Sequence, residues 1–258
     1  MRADNSYVSN RVECAQCRER APSIDFDFAF QPIVSVKRQC VFAHEALARG
    51  PHGQSAASVL SQINSANQHR FDQECRTRAI EQASAIDMRE SLSINFIPNA
   101  MANPGACMER TLRAASDCGF SLSRLIFEVT ESEDIVDAEK LARMFHEYRE
   151  LGIRTAIDDF GAGYSGLNLL ARFQPDIVKI DIHLVRGVDA NGIKQIIVEN
   201  IVRLCDKLGI IPLAEGVETP GERDFLSSVG IDLMQGFFFA RPAFQALSPV
   251  DPLAWSAH

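Results

Sequence analysis

The chain has 258 residues, 46% hydrophobic and 23% charged, which suits one large globular domain or two small ones, with an ample core. Its net charge is −8, from 26 basic and 34 acidic residues with no lysine–arginine cluster, and this argues against a nucleic-acid polymer as partner. No run of 18 apolar residues occurs, the N-terminus lacks an apolar signal core, and the 7 cysteines are scattered, so the expectation is a soluble protein of a reducing cytoplasm with no membrane contact.

In chain order, residues 1–23 read as a polar N-terminal tail, 24–250 as one domain and 251–258 as a C-terminal tail. The tail pair Cys14 and Cys17 has the spacing of half a zinc site, but no second pair completes it, and it reads as solvated. Eight apolar stretches then read as strands: 28–36, 40–48, 91–97, 125–131, 154–160, 176–181, 210–218 and 234–240. Only "KRQ" separates the first two, too little for a helical crossover, so they should form an antiparallel hairpin. Helical patterns lie between the later strands. In one, Leu141, Met144, Phe145 and Tyr148 share a face. In another, Ile193, Ile196, Ile197, Ile201 and Leu204 do, and these residues are expected to serve mostly the core. Gly119, Gly152, Gly209 and Gly230 each precede Phe or Ile and fit left-handed helix ends. The sum is an α/β chain, best read as a (β/α)8 barrel with an irregular start. A doubly wound open sheet is the alternative, but the glycine-rich phosphate loop expected after its first strand is missing.

Barrel chemistry sits at the C-terminal ends of strands. Those ends carry Glu45, Asn95, Glu128 with Glu131, the adjacent Asp158 and Asp159, Lys179 with Asp181, and Glu215 with Glu218, and the eighth strand begins with Gln235. Burying so many carboxylates unpaired would be prohibitive, so they call for cations. Glu45, Asn95, Glu128, Asp158, Asp159 and Glu215 form an oxygen-only set, suited to Mg²⁺ or Mn²⁺ rather than Zn²⁺. Five carboxylates and one lysine give a charge of about −4, which two divalent ions would balance. Such pairs clamp the attacking and leaving oxygens of phosphodiesters. Strand alternation points Asp158 into the mouth and places Asp159 where the chain bends toward Gly161. It also turns Glu131 away from Glu128 and Glu218 away from Glu215, while Lys179 and Asp181 share a face.

The motifs "FQPI" (30–33), "EALAR" (45–49), "SIN" (93–95), "FEVTES" (127–132), "DDFGAGYSGL" (158–167), "KID" (179–181), "AEGVET" (214–219) and "QGFFFARP" (235–242) together resemble the EAL-domain family of bacterial cyclic di-GMP phosphodiesterases. The resemblance runs from about residue 26 to 245. It implies a modified TIM barrel with an antiparallel first strand pair, and hydrolysis of cyclic di-GMP to linear pGpG with two Mg²⁺ or Mn²⁺ ions. Carried over by motif, Glu45, Asn95, Glu128 and Asp158 match ligands of a first metal. Asp158 and Asp159 match ligands of a second, with Glu215 nearby. Lys179 matches the residue that orients or deprotonates the attacking water. Gln31, Arg49, Asp181 and Gln235 match positions around the substrate, and Glu131 matches the glutamate that holds the loop after the paired aspartates.

The expectation is therefore a stand-alone phosphodiesterase with an intact ligand set and cyclic di-GMP as its partner. A homodimer is expected, since the family often pairs through the region after strands five and six. Two rivals remain: a non-hydrolysing cyclic di-GMP receptor acting through a protein partner, and a phosphodiesterase for another dinucleotide.

Overall fold

A computed structural model describes residues 23–98, 104–131, 138–163 and 165–255; the Cys14/Cys17 pair lies outside them. The hairpin forms first: β1 (Asp27–Ser35) pairs antiparallel with β2 (Cys40–Arg49). Short helix α1 (Ala56–Leu60) and long helix α2 (Gln68–Ala85) lead to β3 (Ser91–Asn95). The regular alternation follows with α3 (Pro104–Asp117), β4 (Leu125–Thr130), α4 (Ala138–Glu150), β5 (Arg154–Phe160), α5 (Gly166–Arg172) and β6 (Ile177–Ile180). Then come α6 (Ile182–Val185), α7 (Gly192–Leu208), β7 (Ile211–Ala214), α8 (Pro220–Ser228), β8 (Leu233–Met234) and the two-residue β9 (Ala243–Phe244). Strands β2 to β8 are parallel neighbours in sequence order, and antiparallel β1 joins β8 to β2 and closes the ring. This is a modified TIM barrel whose first strand runs backwards.

Local chemistry sets the helix limits. Gly119, Gly152, Gly209 and Gly230 all have positive φ, as their places after helical patterns predict. Asn191 caps α7 by accepting from the N–H groups of Ile193 and Lys194. Helix α4 docks through buried Leu141, Met144, Phe145 and Tyr148, and the Tyr148 ring meets Phe127 of β4 edge to face at 5.2 Å.

The barrel interior has an apolar floor made of Ile33, Ala43, Ile126, Ala156, Ile177, Leu213 and Leu233. Side chains alternate along a strand, so the residue two positions on faces the same interior one layer higher. That residue is Glu45 on β2, Glu128 on β4, Asp158 on β5, Lys179 on β6, Glu215 after β7 and Gln235 after β8. On reversed β1 it lies two positions back, at Gln31. One period-2 rule thus builds an apolar plug and a polar layer on top of it.

Two expectations are corrected. The eighth strand stops at Met234, because Gly236 turns the chain against Val217. The Val217 N–H donates to Gln235 O at 3.0 Å, and the Phe238 N–H returns to Val217 O at 3.0 Å, so "GFFFA" forms a turn. On α7, Ile193, Ile196 and Ile197 are 73%, 62% and 40% exposed and do not serve the core. Among the described residues no helix is long and apolar enough to cross a membrane. Residues 252–255 form a short 3-10 turn with Ala254 buried, so packing continues as far as Trp255.

The Gly236 turn is testable. A Cβ there would lie 2.0 Å from the backbone oxygen of Val217, whereas one at Gly192 would meet nothing within 4 Å. Gly236→Ala should lower the unfolding free energy by about 1–3 kcal/mol through overpacking. Gly192→Ala should be neutral or slightly stabilising. Urea denaturation of both decides, and equal stability of the two variants would contradict the close approach.

Candidate active site

At the C-terminal end of the barrel, Lys179 is fully buried and its ammonium is shared by four carboxylates. Nζ lies 2.9 Å from Glu128 Oε2, 2.9 Å from Asp158 Oδ1, 2.9 Å from Glu215 Oε1 and 3.5 Å from Glu45 Oε2. These residues come from β4, β5, the end of β7 and β2, which only barrel closure brings together. Asn95, last in β3, donates from Nδ2 to Glu45 Oε1 at 3.1 Å. Gln235 donates from Nε2 to Glu45 Oε2 at 2.8 Å and to Gln31 Oε1 at 3.4 Å. Gln31 in turn donates to Ala240 O at 3.3 Å.

The paired aspartates act together because the strand is broken there. The β5–β6 register shifts between Ile157 and Phe160, and Asp159 has a left-handed φ of 55°. This bulge re-aims the Asp159 carboxylate, which regular alternation would turn away. Two acidic triads result, Glu45–Glu128–Asp158 and Asp158–Asp159–Glu215, each with oxygens within 4.8 Å of one another. Asp158 belongs to both.

Electrostatics reflects one cation among many anions. Burial pushes the Glu128 carboxyl up to about 8, with Lys179 opposing and Glu45 and Asp158 adding to the shift. Burial raises Asp159 to about 6, and the adjacent Asp158 charge adds to it. Glu215 is held well above the usual carboxylate range by burial, against the pull of Lys179. Burial draws Lys179 down, but its carboxylate partners, Asp158 foremost, overcome this and hold it well above the usual lysine range. Burial and mutual repulsion thus favour the protonated forms of Glu128, Asp159 and Glu215. A hard divalent cation fits this all-oxygen donor set and can take the place of those protons.

The other expected residues make contacts of their own. Glu131 points away from it and accepts from the N–H groups of Gly161 at 2.7 Å and Ser165 at 3.0 Å, gripping the loop after Asp159. A Cβ on Gly166 would lie 2.8 Å from Glu131 Oε2, so the loop packs tightly on that carboxylate. Glu218 also turns away and pairs with Arg186 at 2.6 Å. Asp181 is buried and accepts the His183 N–H at 2.8 Å. Arg49 is half-buried at the end of β2, and its Nη1 donates to Ala48 O at 2.8 Å.

A cavity of about 340 Å³ opens over the cluster between Gln31, Glu45, Asp158, Asp159, Asp181 and Glu215. Three contributors escape the sequence reading. Ser93 donates its hydroxyl to Glu128 Oε1; it lies two residues before Asn95 on one strand face, so the period-2 rule marks it. Glu222 accepts from the N–H groups of Gly187, Glu218 and Thr219, and Thr219-x-x-Glu222 is a capping-box signature visible in the sequence. Phe237 is 46% exposed at the cavity edge, with the Arg241 guanidinium 4.2 Å from its ring centre. No sequence pattern separates it from its neighbouring phenylalanines.

Comparison with known proteins agrees with this architecture. The blue light- and temperature-regulated antirepressor BluF of Escherichia coli K12 is 33% identical over 236 residues, covering 91% of this chain and 58% of BluF. The probable cyclic di-GMP phosphodiesterase PdeN of the same organism is 28% identical over 229 residues, covering 84% of this chain and 43% of PdeN. This chain therefore spans little more than half the length of the first relative and less of the second. Among solved structures, a standalone versatile EAL protein from Vibrio cholerae O395, in its c-di-GMP-bound form, superposes with a TM-score of 0.88. It is 45% identical, and the match covers 92% of this chain and 100% of that one. The family described as the EAL domain matches residues 16–242. With the match spanning most of its length, this chain belongs to the EAL domain family.

Proposed function

We propose that this protein is a phosphodiesterase that hydrolyses cyclic di-GMP to linear pGpG, with two Mg²⁺ or Mn²⁺ ions at the barrel mouth. The observation that carries this reading is the pair of acidic triads sharing Asp158, with every expected carboxylate ligand present. Glu45, Asn95, Glu128 and Asp158 would hold one ion, and Asp158, Asp159 and Glu215 the other. When bound, such a pair stabilises charge on the attacking and leaving oxygens of the phosphodiester. Lys179 Nζ, 2.9 Å from carboxylate oxygens of Glu128, Asp158 and Glu215, would orient or deprotonate the attacking water. Glu131 keeps Asp159 in place through the loop that it holds. Gln31, Arg49, Asp181 and Gln235 border the substrate, and Phe237 offers an exposed ring to a base. Residues 24–250 carry the activity, and the free Cys40, Cys75, Cys118 and Cys205 suit a reducing cytoplasm.

The likeness to the antirepressor BluF supports a second reading, a cyclic di-GMP receptor that acts through a protein partner without hydrolysis. Incubation with Mg²⁺ and cyclic di-GMP, followed by chromatography, should yield pGpG and separates the two. Glu45→Ala should abolish that product. It should leave the fold intact, because Glu45 is the most distant of the four anions around Lys179. Binding without product in the wild type would favour the receptor reading.

Metal binding should release protons. At pH 7 a Glu128 carboxyl at about 8 is largely protonated, and a cation that takes the carboxylate displaces that proton. Apparent Mg²⁺ affinity should therefore rise between about pH 6 and 9. The metal-free fold should lose stability as pH rises from the ordinary 4.5 toward about 8, because folded Glu128 holds a proton that the unfolded chain has lost. Calorimetry in buffers of different ionisation enthalpy checks the release; identical heats in all buffers would contradict it.

The exposed Ile193, Ile196 and Ile197 form one apolar face on α7, and a second copy of the chain would cover it in a two-fold homodimer. Sedimentation velocity should give a two-chain mass for the wild type and a one-chain mass for Ile196→Glu. A monomeric wild type would remove this assignment.

A further inference from the structure

Helix α2 carries buried polar side chains where a helix packed on a barrel ordinarily carries apolar ones. Asp72, Gln73 and Arg76 are 2%, 1% and 0% exposed. Asp72 and Arg76 stand one helical turn apart, with Arg76 Nη2 2.9 Å from Asp72 Oδ2. A fully buried ion pair is a poor source of stability, because the desolvation of two charges offsets their attraction. An apolar pair of similar volume does as well or better. The pair therefore needs a reason other than stability.

The second carboxylate oxygen supplies one. Asp72 Oδ1 accepts the backbone N–H of Ile97 at 2.8 Å. Ile97 lies two residues past Asn95, the last residue of β3. The intervening N–H, from Phe96, donates to Glu128 O at 2.9 Å. The backbone leaving Asn95 is thus pinned by β4 on one side and by α2 on the other. Asn95 is the one neutral member of the oxygen-donor set, so no charge draws it toward a cation, and its placement depends on its backbone. A charge-assisted acceptor is roughly twice as strong as a neutral one, and the Arg76 guanidinium opposes the upward pull of burial on the Asp72 carboxyl.

We propose that Asp72, held by Arg76, is a positioning residue for Asn95, fixing the chain after β3 so that the Asn95 amide stays at the acidic cluster. The inference rests on the reading of that cluster as a cation site.

Mn²⁺ binding to the full chain, followed by electron paramagnetic resonance, tests it without reference to turnover. Wild type is compared with Asp72→Asn/Arg76→Met and Asp72→Leu/Arg76→Met. Both double variants remove the ion pair at similar volume, and only the first keeps an oxygen for the Ile97 N–H. The Leu form should lose Mn²⁺ affinity by about 10–100-fold, the range for groups that orient metal ligands, and the Asn form, whose neutral oxygen is the weaker acceptor, should lose clearly less. Circular dichroism melts should show both folded. In an Asn95→Ala background the Leu form should cause no further loss. If the Leu form does not fold, Asp72→Glu replaces it: the pair is kept, the acceptor moves by one methylene, and Mn²⁺ affinity should again fall. Wild-type affinity in the Leu form or its replacement, equal loss in both double variants, or further loss on top of Asn95→Ala overturns the positioning role. A wild type that binds no Mn²⁺ overturns the cation reading and this inference with it.

Discussion

One buried ammonium group governs the mouth of this barrel. Among the described residues, Lys179 is the one positive charge ion-paired with all of Glu45, Glu128, Asp158 and Glu215, and it is too little for them. At short range in a partly dry interior, uncompensated repulsion between carboxylates is worth several kcal/mol. The molecule can meet that deficit with protons or with cations. The raised carboxyls of Glu128, Asp159 and Glu215 are the first solution. The triads that share Asp158 are shaped for the second. Lys179 ties the four carboxylates to one point.

The register of the strands puts these groups in one layer. Ala43 and Glu45, Ile126 and Glu128, Ala156 and Asp158, Ile177 and Lys179, Leu213 and Glu215 are all pairs two residues apart. A one-residue slip in any strand would exchange an interior group for one facing the helices. The apolar floor enforces that register, because each of its residues would lose its burial in the same slip. Packing energy in one layer thus sets the geometry of charges in the next. Reversal of β1 does not disturb this, since alternation is the same in either direction.

Period-2 alternation and glycine-terminated helices are local signals, so most of the architecture is legible in the sequence. The floor, the polar layer, the antiparallel start and the left-handed glycines all follow from them. Other features are set by contacts distant in the chain. "GFFFA" has strand composition, but Gly236 sits against the Val217 backbone, and that contact turns it. Ile193, Ile196 and Ile197 recur at helical spacing like core residues, yet α7 presents them outward. Spacing shows that residues share a face, and it leaves open what that face meets. The Asp159 bulge is intermediate: the doubled aspartate hints at it, but the φ of 55° depends on the loop that Glu131 holds.

The sequence presents all of these acids alike, as Asp or Glu near strand ends or in helices beside them. Their backbone partners tell them apart. Asp72 accepts the N–H of Ile97, Glu131 those of Gly161 and Ser165, and Glu222 those of Gly187, Glu218 and Thr219. Each of these carboxylates accepts from peptide groups, and Asp72 also pairs with Arg76. Glu45, Glu128 and Glu215 instead meet side chains: Lys179 in every case, with Asn95, Gln235 or Ser93 beside some. Peptide N–H groups are bound into the fold and cannot be exchanged for an ion, whereas side-chain donors can be displaced. The acids that build the mouth and the acids that serve it are therefore distinguished by the mobility of what binds them. Asp158 stands at the boundary, accepting the Asp159 N–H at 3.0 Å while its carboxylate belongs to both triads. That contact joins the backbone of the bulge to the carboxylate cluster.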